Sequence, residues 1–128
     1  MLSPKITEKI DYELTKYPAD QRQAAVMSAL RIVQTERGWL SQESMSEVAA
    51  YIGMPEIAVM EVASFYNMYD LAPVGKYKIS ICTNISCMLR NSDEIVDHLK
   101  HKLGVECNQV SADGKFCLKE GECMGACG

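Results

Sequence analysis

No cysteine occurs in residues 1–81, and no cluster of basic residues occurs anywhere in the 128-residue chain, whose formal net charge is −4. Nucleic-acid binding needs a concentrated positive surface to neutralise phosphates, so the charge pattern argues against it. No apolar run approaches the roughly 20 residues needed to cross a bilayer. The richest stretch, "IAVMEVASFYNMY", is interrupted by Glu61. The opening "MLSPKITEKIDYE" lacks the basic-then-apolar layout of a secretory signal. Neither common Gly-rich phosphate loop is present. No C-x-x-C pair is present either, which weakens a thiol–disulfide oxidoreductase reading. Together these absences set the expectation of a soluble protein in a reducing compartment.

What is present is an ordinary globular composition, 48% apolar and 23% charged, in a length that suits one modest domain or a helical module beside a second small unit. The pattern of residues 1–70 is helical almost throughout. A first helix is expected over "PKITEKIDYELTKY", with Pro4 in its first turn and "YPAD" after its end. Asp20 is placed to cap a second segment, in which Val26, Leu30 and Val33 recur at helical spacing beside Ala25, Ala29 and Ile32. Gly38 closes that helix and Ser41 caps a third, whose face is Met45, Val48, Ala49 and Ile52, before Gly53 stops it. Pro55 opens a fourth. Its apolar residues (Ile57, Val59, Met60, Val62, Ala63, Phe65, Tyr66) cover more than half its circumference, which predicts the central helix of a four-helix bundle. A helix-turn-helix DNA binder needs basic side chains on its second helix. Here that helix carries Glu56 and Glu61 and no Lys or Arg.

"LAPVGK", with Pro73 and Gly75, reads as the break between regions, giving a helical region 1–70, a linker 71–75 and a second domain 76–128. The period changes after it. Tyr77, Ile79 and Ile81 alternate with Lys78 and Ser80, as in a half-buried strand. Ile95, Leu99 and Leu103 then repeat at helical spacing up to Gly104. An Asp113-Gly114 turn precedes a second strand with Phe116 and Leu118. Strand, helix, strand and cysteine loop form the start of an α/β unit, making the whole chain α+β. So little sheet cannot bury both of its faces.

All six cysteines lie in residues 82–127, and four of them follow the pattern Cys82-x4-Cys87, a gap of 35 residues, and Cys123-x3-Cys127. Each pair follows a predicted strand and sits in a loop. In "GECMGACG" small residues let backbone N–H groups approach an inorganic centre. Cys87 also precedes a helix, whose positive end would lower a thiol pKa and favour a thiolate cluster. Four thiolates from two loops suit either a zinc ion or an iron–sulfur cluster, and ligand count does not separate them. The plant-type ferredoxin run C-x4-C-x2-C is absent.

"VASFYNMYDLAPVGKYKISICTNISCMLRNSDEI" and "GKFCLKEGECMGACG", together with "KYPADQRQAAVMSALRIVQTERGWLS", resemble the E subunit of bacterial NADH:quinone oxidoreductase, the thioredoxin-like [2Fe-2S] subunit of respiratory complex I. Equivalent subunits occur in NAD-linked hydrogenases and formate dehydrogenases. The resemblance covers essentially the whole chain. It implies one [2Fe-2S] cluster, with Cys82 and Cys87 on one iron and Cys123 and Cys127 on the other. It implies a thioredoxin-like second domain and electron exchange with FMN. FMN and NADH would both be held by a partner flavoprotein subunit. It also implies a place on the cytoplasmic side of the inner membrane, in a larger complex and without insertion. The family's pattern departs at Cys117, where a small polar residue is usual. The family also continues past the last cysteine with a strand hairpin and a helix. The chain is therefore expected to be a truncated form with an exposed apolar sheet face around Ile79 and Ile81, a tendency to self-associate and a labile cluster. The competing expectation is a structural zinc module for protein–protein interaction.

The remaining candidates have plainer readings. Cys107 and Cys117 are expected to be small buried hydrophobes. His98 and His101 share a helix face that reads as solvated. Glu120 and Glu122 read as solvated too, with negative charge that would lower a nearby cluster's potential. Trp39, Phe65 and Tyr66 read as packing residues, with a partner surface as the alternative for the last two.

Overall fold

Pro4 enters α1 (Pro4–Leu14) in its first turn, where its missing N–H leaves no helical bond unmade. The structure is a computed structural model that describes residues 1–126; Cys127 lies outside the described residues. The helix ends at Leu14, three residues short of the Tyr17 expected from the sequence. Its last turn closes instead through Lys16 and Tyr17 amides donating to Glu13 and Leu14 carbonyls. Asp20 caps nothing. The next segment begins as a 3₁₀ turn, Arg22–Ala25, with Gln21 at its N-cap and no side-chain capping bond, and runs on into α2 (Val26–Arg37).

Gly38 ends α2 at φ 87°, a left-handed conformation that glycine adopts without a Cβ penalty. Ser41 then accepts a hydrogen bond from the Ser44 amide and caps α3 (Gln42–Ile52). Arg37 ties the two helices together, donating to Ser44 Oγ at 2.8 Å and Glu47 Oε2 at 2.7 Å. Gly53 closes α3, again left-handed. Pro55 stands at the N-cap of α4 (Glu56–Phe65), one place outside the helix.

The predicted role of α4 needs correction. Only Val59 and Ala63 are buried along it, while Ile57 is 65% and Phe65 80% exposed. An apolar helix surface predicts a buried helix only if the chain supplies neighbours for every side. Here the core is centred on α2 and α3, and Val59 and Ala63 are α4's fully buried contribution to it. Phe65 and Tyr66 stack edge-to-face on each other, with ring centroids 5.0 Å apart, at the surface. The segment after α4 is pinned back: Gln34 exchanges bonds with the Met68 carbonyl and Asp70 amide, and the buried Tyr69 hydroxyl donates to the Met27 carbonyl.

The chain divides into two compact units, Met1–Pro73 and Val74–Gly128. In the second, β1 (Tyr77–Cys82) and β2 (Phe116–Gly121) pair in parallel, with Tyr77 opposite Phe116, Ile79 opposite Leu118 and Cys82 opposite Gly121. Parallel partners require a crossover. It is made by a single-turn helix α5 (Ile85–Met88) and then α6 (Ser92–Leu103), which packs on both strands. The inner face of α6 is Ser92, Val96, Leu99 and Leu103; Ile95, expected inside, is 52% exposed. Ile79 and Ile81 are half-buried.

Gly75 leads into β1 where a Cβ would lie 2.8 Å from the Lys115 carbonyl group, so the strands start their pairing at a glycine. The Asp113-Gly114 turn is present. Asp113 Oδ1 accepts from the Ser111 hydroxyl and the Lys115 amide, and Ser111 Oγ accepts from the Phe116 amide. These bonds hold the Asp113 carboxyl below its usual pKa, the Ser111 hydroxyl contributing most. Before the turn, Val110 bridges Cys117 of β2 antiparallel.

Candidate metal centre

Both cysteine loops leave the sheet at the same end, because the parallel register puts Cys82 beside Gly121. The first loop is short and ordered by Asn84, whose side-chain oxygen accepts from the Ile85 amide at 2.7 Å and caps the turn that carries Cys87. Cys87 therefore lies within α5, one turn before α6. The expectation that Cys87 precedes a helix holds, with a single turn of helix of its own before the long one. Asn91 makes the break between the two, at φ 65°.

Among the described residues, three bonds join the first loop to the end of β2 and the loop after it. The Thr83 amide donates to the Gly121 carbonyl at 3.2 Å, continuing the ladder one step past the strands. Thr83 Oγ1 donates to Glu120 Oε2 at 3.3 Å, and Asn84 Nδ2 donates to Glu122 Oε2 at 2.7 Å. Asn84 thus connects the turn bearing Cys87 to the residue immediately before Cys123. On the second loop, the Gly125 amide points at Cys123 Sγ at 3.4 Å, an N–H···S contact of the kind that stabilises a thiolate.

Cys82 and Cys87 line one cavity of about 340 Å³ together with Ile81, Arg90, Ser92, Ile95 and Ala126. Cys123 is exposed on the loop after β2. Among the described residues no three metal-ligating side chains converge on one point. The structure thus brings two of the four candidate ligands together and sets the third on the adjoining loop. The fourth lies outside the described residues. No disulfide joins the five described cysteines.

Ser92 is the residue that sequence reasoning passed over. It is 4% exposed, and its hydroxyl has no hydrogen-bond partner among the described residues. A buried hydroxyl without a partner costs about 1–3 kcal/mol, so such atoms are rare and call for a reason. A signal was available in the sequence: a serine five residues after Cys87, where the helix of a β-α-β crossover begins. Of the spare cysteines, Cys117 is buried as expected. Cys107 is half-buried and donates to Glu120 Oε1 at 3.3 Å, and burial followed by that carboxylate pushes its thiol pKa up. A raised pKa keeps it a protonated thiol and a poor metal ligand. His98 and His101 are exposed.

The sequence profile of the thioredoxin-like [2Fe-2S] ferredoxin family matches residues 10–128. The chain is 40% identical over 118 residues to NADH-quinone oxidoreductase subunit 2 of Thermus thermophilus, covering 92% of this chain and 65% of that one. It is 42% identical over 115 residues to the E subunit of the NADH-quinone oxidoreductase of Rickettsia bellii, covering 89% and 69%. The chain thus spans about two thirds of the length of these relatives. In fold it resembles part of an NAD+-reducing [NiFe]-hydrogenase in the air-oxidised state, with a TM-score of 0.61 at 20% identity. That likeness takes in 85% of this chain and 19% of the hydrogenase chain. On the profile match and these identities, the chain belongs to the thioredoxin-like [2Fe-2S] ferredoxin family.

Proposed function

We propose that the chain is an electron-transfer subunit of an NADH:quinone oxidoreductase and holds one [2Fe-2S] cluster through Cys82, Cys87, Cys123 and Cys127. The observation that carries this is the cavity lined by Cys82 and Cys87, with Ser92, whose buried hydroxyl has no partner among the described residues, lining it too. The residues suit such a group: two cysteines line one space, Arg90 lines it as a cation, and Cys123 already receives an amide. Held by these four cysteines, a cluster would supply one-electron redox chemistry. The chain's own work is narrower. Asn84 and Thr83 fix the spacing of the two loops, Arg90 offsets thiolate charge, and Ile81 and Ile95 keep one wall of the cavity apolar.

Its redox partner is the FMN- and NADH-binding flavoprotein subunit of the same complex, on the cytoplasmic side of the inner membrane. Support comes from the relatives' names, which are those of NADH-quinone oxidoreductase subunits. The uncovered Ile57 and Phe65 on α4 are what such a partner would cover. Among the described residues no helix is long and apolar enough to cross a membrane.

The test is visible absorption and electron paramagnetic resonance of the anaerobically reconstituted chain. A coloured oxidised form is expected, with a reduced form showing the single unpaired spin of a binuclear cluster, both lost in Cys82→Ser and Cys87→Ser. Colourless protein carrying one zinc contradicts the redox assignment.

A further inference from the structure

The unpaired hydroxyl of Ser92 is out of place by the ordinary rules of a protein interior. Ser92 is the first residue of α6, directly after the left-handed Asn91, and it is almost wholly buried. A hydroxyl at the first position of a helix normally faces water or caps a neighbouring amide. This one does neither among the described residues, and Ser92 is one of the residues that line the cavity beside Cys82 and Cys87. Alanine would fill the same space without leaving a polar atom unpaired. A group bound in the cavity would supply the partner that the hydroxyl lacks.

We propose that Ser92 is a positioning residue whose hydroxyl donates a hydrogen bond to a sulfur of the bound cluster, either a thiolate of Cys82 or Cys87 or a bridging sulfide. The proposal rests on the cluster reading above. A sulfur in the cavity is an acceptor only, and the hydroxyl is the donor it lacks. Reduction adds an electron to the cluster and makes its sulfurs better acceptors, so the bond strengthens in the reduced form and raises the reduction potential. Arg90, lining the same cavity, acts in the same direction by charge. The donor bond also orients the sulfur it contacts, as outer hydrogen bonds do at other metal sites.

The experiment compares wild type, Ser92→Ala and Ser92→Thr. In the reconstituted chains, redox titration followed by electron paramagnetic resonance should give a lower midpoint potential for S92A, with S92T closer to wild type because the hydroxyl is kept. Resonance Raman iron–sulfur bands should shift in D2O for wild type, and that shift should be lost in S92A. In the iron-free chains, S92A removes an unpaired group and should unfold at the wild-type temperature or above it. Equal potentials and equal deuterium shifts in wild type and S92A would overturn the inference. So would an iron-free S92A chain that unfolds well below wild type, since that marks a merely structural hydroxyl. A wild-type chain that takes up no iron–sulfur cluster overturns the site reading, and the inference falls with it.

Discussion

In residues 1–73, fifteen buried side chains from Ile6 to Tyr69 form one continuous cluster, and α1 to α4 each contribute to it. In the second unit, the buried hydrophobic residues among those described are Val96, Val105, Cys117 and Leu118, under a two-stranded sheet and one long helix. The unit that carries the cysteines is the one with little apolar core. Small units in that position are commonly stapled by a metal, because ligation free energy becomes folding free energy. The contrast predicts that a cluster would be structural as well as redox-active in residues 74–126, and irrelevant to the helical unit.

The largest effect that sharpens this contrast is removal of the cluster. Chelation of a reconstituted chain should strip amide-exchange protection from β1, β2 and α6 while α1 to α3 keep theirs. Uniform loss across both units would break the contrast. Core truncation should divide the same way. Leu30→Ala should cost the helical unit roughly 2–5 kcal/mol, seen in denaturant unfolding, with iron content unchanged. Leu118→Ala, at the one fully buried large residue of β2, should release iron instead.

A smaller effect is expected at the bond between the loops. Asn84→Asp keeps the oxygen that caps Ile85 but sets a second carboxylate against Glu122. Iron loss to a chelator should accelerate by roughly fivefold, the factor for about 1 kcal/mol. Asn84→Asp with Glu122→Gln reverses the bond at unchanged total charge and should restore the wild-type rate. Acid should have the mildest effect, local to the hairpin. Asp113's pKa is depressed in the folded chain, chiefly by Ser111. Its contribution is therefore present above the unfolded pKa and is lost as pH falls through the lower folded one. Exchange at Lys115 and Phe116 should quicken in that acid window, and Asp113→Asn should abolish the dependence.

The local signals were readable from residues alone. Gly38, Ser41, Gly53 and the Asp113-Gly114 turn each do in the structure what their chemistry predicts, because caps and turns are decided by neighbours in sequence. The strands and the crossover helix also follow from their periods. What failed depended on which side chains find partners. The apolar surface of α4 looked central, yet Ile57, Met60, Phe65 and Tyr66 are exposed, and Ile95 faces outward where Val96 does not. The four-cysteine spacing is a sequence pattern, and the structure adds to it that Cys82 and Cys87 line one cavity. The break between α5 and α6, which places Cys87 inside its own turn, depends on Asn91 adopting a left-handed conformation that asparagine only sometimes takes. Ser92 was invisible for a related reason: a serine at a helix start is ordinary until its burial is known.

The most direct measurement of the central claim is native mass spectrometry of the anaerobically reconstituted chain, run beside Cys123→Ser and Cys127→Ser. The account predicts one [2Fe-2S] cluster per wild-type chain, and its loss or marked depletion in each variant. A wild-type chain that carries a single zinc ion, or full cluster occupancy in both variants, would contradict it.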